Sequence, residues 1–186
     1  MVFHALDFIR LELNSSGRDI TSELGNVGEL ISNGGINSNT DSSIIISLIN
    51  IEENRISRDP RNYLKSGTDV FIKNPAVHLN LTLLFTATRS ESAYGAALQN
   101  IQTVIEFFQD KFVFDRTNTP GLTPGIEKLI FEMVSINMEQ LNHLWSILGG
   151  RYHPSIVYKM RMITIDSVTR QLGSVIKEIE TKFYME

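Results

Sequence analysis

The chain contains no cysteine, and this single absence removes disulfides, thiolate zinc sites, iron–sulfur clusters and thiol nucleophiles together. Proline is scarce, with 5 in 186 residues, and glycine is ordinary at 12, which excludes collagen-like and low-complexity sequence. Positive charge is outnumbered: 17 Lys and Arg face 21 Asp and Glu, for a net charge of −4. A chain whose main work is to neutralise phosphate would carry the opposite sign. Long apolar runs are also missing. The longest, Ile44-Ile45-Ile46-Ser47-Leu48-Ile49, is far short of the roughly 20 residues of a spanning helix. The N-terminal stretch meets Asp7, Arg10 and Glu12 before reaching signal-peptide length. The expectations are no membrane insertion, no nucleic-acid partner, no signal peptide and residence in a reducing compartment.

What remains is ordinary globular usage, 42% hydrophobic and 20% charged, in a length that suits one domain and buries roughly 70% of its unfolded surface. The charge is unevenly divided. Residues 1–150 hold 11 basic and 17 acidic groups, whereas residues 151–186 hold 6 and 4, a weak basis for head-to-tail contacts.

Apolar spacing predicts a helix over residues 2–14, ended by Asn14-Ser15-Ser16-Gly17, and a second over 91–110, where Tyr94, Leu98, Ile101, Ile105 and Phe108 share a face. A third runs from Met138 to Leu148 and is capped by Gly149-Gly150. Strands are predicted over 44–56, over 77–88 with strict alternation broken only at Leu84, over 129–136 and over 155–165. Residues 26–31 read as a short strand that turns at Asn33-Gly34-Gly35, with a long loop equally plausible. Pro60 and Gly67 bracket a polar connection. Val168, Leu172, Val175, Ile176, Ile179 and Phe183 predict a C-terminal amphipathic helix over 167–184. The sum is an α+β domain with a mixed or antiparallel sheet and helices packed against it. A domain over 1–166 would be followed by a helical extension over 167–186.

Catalytic signatures do not appear. His4, His78, His143 and His153 form no metal-binding pair, no serine stands in a nucleophile elbow, and neither Gly34-Gly35 nor Gly149-Gly150 opens a phosphate-binding loop. Glu52 and Glu53 point to opposite faces of a strand, so they cannot work as a carboxylate pair. Asp110 and Asp115 read as solvated charge. No catalytic, metal or cofactor residue is assigned, and no cofactor is expected. Surfaces for partners are left. Phe112-Val113-Phe114 leads into a loop over 115–125 with two Pro-Gly turns, and long ordered loops are often functional. The 167–184 helix is the other candidate.

Several blocks together resemble a known bacterial family: Phe3–Arg10, Ile49–Arg55, Lys73–Leu81, Asn118-Thr119-Pro120-Gly121-Leu122, Leu141–Gly150 and Tyr158–Asp166. The sequence is similar to tail terminators, or caps, of contractile phage-tail-like injection systems. The resemblance implies an α+β fold like that of phage tail terminators and a structural, non-enzymatic role. It implies a ring of copies of the chain, six in number, closing the distal end of the inner tube and of the sheath. It implies assembly in the bacterial cytoplasm and then a place in the particle, including particles released outside the cell. Two other readings stay open at this point, a non-enzymatic adaptor or assembly factor of the same particle, for example at its baseplate, and a small enzyme with a dispersed site. Expected partner contacts are Asn118, Pro120 and Gly121 in the loop, and the cations Lys159, Arg161, Arg170 and Lys177 toward an acidic surface.

Overall fold

A computed structural model of the chain describes residues 1–32, 43–54, 63–66, 69–73, 78–88, 93–164 and 168–172. In chain order its elements are α1 (Val2–Asn14), β1 (Ser22–Leu24), α2 (Val27–Ser32), β2 (Ile44–Glu53), β3 (Tyr63–Ser66), β4 (Asp69–Lys73), β5 (Leu79–Ala87), α3 (Tyr94–Asp110), β6 (Val113–Asp115), β7 (Ile126–Met133), α4 (Met138–Ile147), β8 (Ser155–Thr164) and β9 (Val168–Leu172). The main sheet has six strands in the order β1-β2-β5-β8-β7-β6, and β3-β4-β9 form a second, three-stranded sheet. Within the main sheet only β1 and β2 run parallel. The architecture is the expected α+β arrangement with a mixed sheet.

Alternation along β5 and β8 creates the principal core. Leu81, Leu83, Phe85 and Ala87 on β5 and Tyr158, Met160 and Met162 on β8 bury the same face of the sheet, and α1 and α3 cover it with Leu6, Ile9, Val104 and Phe108. Phe85, Phe108, Phe131 and Tyr158 meet there as an aromatic cluster with centroids 4.4–6.5 Å apart. The opposite face has a smaller core in which Ile45, Leu84 and Val157 pack with Val27 of α2 and Trp145 of α4. This accounts for Leu84, the one break in the alternation: its strand is sandwiched there and apolar on both sides. The same sandwiching accounts for the Ile44-Ile45-Ile46 run, fully buried on both faces.

Four expectations are corrected. Residues 27–32 are helical rather than a strand, because Asn26 turns the chain: its Oδ1 accepts from the Gly28 N–H at 3.1 Å and its carbonyl from the Glu29 N–H at 3.1 Å. The hairpin signal at Asn33-Gly34-Gly35 lies outside the described residues. The strand placed over 129–136 is β7, three residues earlier, and starts where Gly125 takes a positive φ of 93°. The C-terminal helix does not begin at 167. Residues 168–172 form β9, whose Gln171 and Leu172 pair with Ile72 and Phe71 of β4. Five residues spaced Val-x-x-x-Leu satisfy either period, and ladder hydrogen bonds from β4 decide for the strand. The remainder of the expected helix lies outside the described residues. The stretch that Pro60 and Gly67 bracket, read as a polar connection, holds β3, which pairs antiparallel with β4 just after it.

Candidate functional site

The loop after β6 is tied together by its own side chains. The Asp115 carboxylate accepts from the Thr117 hydroxyl and from the N–H groups of Thr117 (2.9 Å) and Asn118 (3.1 Å). Those donors, the Thr117 hydroxyl foremost, hold the Asp115 carboxyl below its ordinary 3.8. Asn118 Oδ1 accepts from the Asp115 N–H (3.0 Å) and the Thr119 hydroxyl (2.7 Å), while Nδ2 donates to the Val113 carbonyl (2.8 Å). Lys111 braces the base: its Nζ lies 3.3 Å from a Glu12 carboxylate oxygen and 4.8 Å from the Phe114 ring centroid. Thr119 and Leu122 are buried and anchor the loop, with Pro120-Gly121 exposed between them and Arg116, Thr117, Asn118 and Pro124 exposed to either side. Of the three expected loop contacts, Pro120 and Gly121 are exposed, and Asn118 is exposed as well but spends its amide on hydrogen bonds within the loop.

Lys159 and Arg161 stand on β8, on the sheet face away from the aromatic cluster. The register places Thr82 and Asn80 beside them on β5, with Asn50 and Glu52 next on β2. Lys159 Nζ meets Glu52 at 3.3 Å, and Arg161 Nη2 meets Glu132 at 2.6 Å. Two carboxylates thus flank two cations in a row across the strands, about half-exposed. α2 and α4 pack on the Ile45–Leu84–Val157 end of this face, and the charged row lies beyond them. Arg170 falls in β9, in the other sheet, and Lys177 lies outside the described residues.

A third feature carries no sequence signature. Where α1, the β1–α2 turn, β2 and the end of α4 meet, the surface opens into a groove of about 480 Å³ lined by Phe3, Leu6, Leu24, Leu48, Ile49 and Leu148. Its lip is apolar and solvated, with Phe3 65% and Leu48 38% exposed. The groove arises because β1 covers only Ile44–Ile46 of β2, after which β2 bulges between Leu48 and Asn50 and runs on. That geometry depends on strand lengths set far apart in the chain, so composition could not announce it. Among the described residues, no three His, Cys, Asp or Glu side chains gather as a metal ion would require, and no helix is long and apolar enough to cross a membrane. His4 and His143 are exposed on α1 and α4, and His153 lies against Trp145 with centroids 5.7 Å apart.

The chain matches the family described as the Pvc16 N-terminal domain over residues 7–178. No curated protein sequence matches it. Among solved structures it is similar to the PVC sheath/tube terminator of an extracellular contractile injection system in its extended state. That match has 15% identity and a TM-score of 0.60, and covers 100% of this chain and 65% of that one. It is also similar to the anti-feeding prophage cap, described as a tube terminating cap, with 16% identity and a TM-score of 0.55 over 80% of this chain and 52% of that one. At such identity the likeness establishes the fold. The chain spans only 65% and 52% of these two relatives' length.

Proposed function

This chain belongs to the Pvc16 N-terminal domain family, and we propose on that footing that it serves as a structural cap of a contractile injection particle. In this reading copies of the chain make heterologous, head-to-tail contacts that close a ring of six. The ring sits on the distal end of the inner tube and the last sheath ring and ends their polymerisation. The observation that carries the reading is the shared fold over the whole of this chain with a sheath/tube terminator. Size is compatible, since a radius of gyration of roughly 16 Å implies subunits about 40 Å across and a ring on the order of 120 Å. The role needs no catalysis, and we read the protein as non-enzymatic, assembled in the bacterial cytoplasm and carried on the particle.

Three surfaces are offered to tube, sheath and neighbouring subunits: the Pro120-Gly121 tip, the apolar groove and the charged row on β8. Cryo-electron microscopy of particles made with and without the chain tests the proposal. Density for a ring of this fold at the distal end, together with tubes of scattered length when the chain is deleted, is the expected result. A normal length distribution in the deletion strain, or density at the baseplate instead, overturns it.

A further inference from the structure

We propose that three asparagine side chains seal the rim of the six-stranded sheet against strand addition by another chain: Asn14 at β1, Asn50 on the part of β2 that outruns β1, and Asn118 at β6. An unpaired strand edge presents a row of N–H and C=O groups that templates pairing with any passing strand. Which groups face out is fixed by which face in. In the β1–β2 pair, Ile44 N–H donates to the Thr21 carbonyl (3.0 Å) and Gly25 N–H to the Ile46 carbonyl (3.1 Å). Residues 21, 23 and 25 therefore turn toward β2, and both backbone groups of Ser22 face the rim. Asn14 meets both: its Oδ1 accepts from the Ser22 N–H at 2.7 Å and its Nδ2 donates to the Ser22 carbonyl at 3.0 Å.

At the far end, Phe131 N–H donates to the Phe112 carbonyl at 2.8 Å, which turns Phe112 and Phe114 toward β7 and leaves Val113 and Asp115 facing out. Asn118 meets this pair in the same way, Nδ2 to the Val113 carbonyl at 2.8 Å and Oδ1 to the Asp115 N–H at 3.0 Å. The Asp115 carbonyl accepts from the Thr119 N–H at 2.8 Å. On the overhang of β2, Asn54 N–H donates to the His78 carbonyl at 2.8 Å, so Asn50 and Glu52 face β5 and Ile51 faces the rim. The Ile51 N–H donates to Asn50 Oδ1 at 2.9 Å. A carboxamide offers both N–H donors and a carbonyl acceptor, as a peptide group offers one of each, and at Asn14 and Asn118 it occupies the place of a neighbouring strand. The three residues sit in unrelated settings, a helix end, a strand and a loop, yet each exposed side chain bonds rim backbone; Asn14 and Asn118 do so with both ends of the amide, and Asn50 with Oδ1 while its Nδ2 donates to Glu52 Oε1 at 3.2 Å. The sealing is a property of the isolated subunit and does not depend on the cap reading.

The test uses the whole chain with Asn14→Ala, Asn50→Ala and Asn118→Ala, singly and combined, followed by sedimentation velocity and thioflavin T fluorescence over a concentration series, with circular dichroism melting alongside. The combined variant is expected to form strand-rich assemblies at a concentration at least tenfold below any threshold of the unaltered protein. Asn118→Asp, which keeps the acceptor and loses the donor to Val113, is expected to fall between. A purely structural role lowers the melting temperature and leaves the association threshold unmoved, and that outcome overturns the proposal. Should the variants not fold, amide hydrogen exchange on the unaltered protein decides. Ile51 and Asp115, on an open rim, are expected to exchange at least tenfold more slowly than unstructured amides, and unslowed exchange at both overturns it.

Discussion

Asp115 shows how one side chain can set a loop. Its ionised carboxylate receives the Thr117 hydroxyl and the N–H groups of Thr117 and Asn118, and these, the hydroxyl foremost, hold its pKa below 3.8 against the opposing pull of desolvation. The native value is depressed, so the contribution is complete above pH 3.8 and is lost as pH falls through the lower native value. Carbon-13 NMR titration is expected to place the Asp115 midpoint below 3.8, and Thr117→Val, which removes the leading donor, to bring it back up; a midpoint unmoved by Thr117→Val contradicts this assignment. In the core, Phe85 is wholly buried, edge-on to Phe108 and Tyr158 at 5.4 and 5.7 Å. Phe85→Ala is expected to cost about 3–5 kcal/mol, read as a shift of the denaturation midpoint at unchanged m-value. A loss under about 1 kcal/mol would mean that the cluster closes over the cavity.

Among the elements, α4 leans most on its ends. It has ten residues and buries only Trp145 fully, so packing alone holds it weakly. At its start Asn137 Oδ1 accepts from the Gln140 N–H at 2.8 Å and Gln140 Oε1 from the Asn137 N–H at 3.0 Å, a reciprocal capping box. At its end the Gly150 N–H reaches back to the Trp145 carbonyl at 2.7 Å, with Gly149 at φ 111°, the Schellman closure that Gly149-Gly150 predicts. Asn137→Ala is expected to cost about 1 kcal/mol and Asn137→Ser much less, by urea titration; equal losses would show that the box is idle. Elements of this kind were legible in sequence because their signals are local: the stripes of α1 and α3, the alternation of β5 and β8, the glycines after α4. Where the signal was five or six residues long, as in α2 and β9, helical and strand periods coincide, and a turn residue or a distant partner strand chose between them. The rim asparagines were illegible for a related reason. Asn14 and Asn50 look like any polar surface residue until strand order reveals which backbone groups face out, and the bonds of the Asn118 amide to its own loop appear only in the structure.

At the scale of the molecule, the uneven charge along the chain is interleaved among the described residues of the main sheet. β8 belongs to the basic C-terminal part, yet it threads between β5 and β7, so Lys159 and Arg161 meet Glu52 and Glu132 from the acidic part within the same subunit. That face presents two cations flanked by two carboxylates, and a simple charge reversal would confound two effects. Lys159→Glu and Arg161→Glu alone would crowd four carboxylates and destabilise the sheet directly. Exchanging all four charges separates the effects: Lys159→Glu with Glu52→Lys, and Arg161→Glu with Glu132→Arg, keep net charge and both pairs while inverting the pattern. Half-exposed pairs contribute about 0–1 kcal/mol each, so stability of the exchanged subunit is expected within about 1 kcal/mol of the original. If the row orients the subunit against an acidic partner surface, cap occupancy on particles should nonetheless fall, and fall most at low salt, where exposed charges are least screened. Full occupancy by the exchanged subunit at low salt would remove the row from the interface and leave the apolar groove and the Pro120-Gly121 tip as the surfaces that meet the particle.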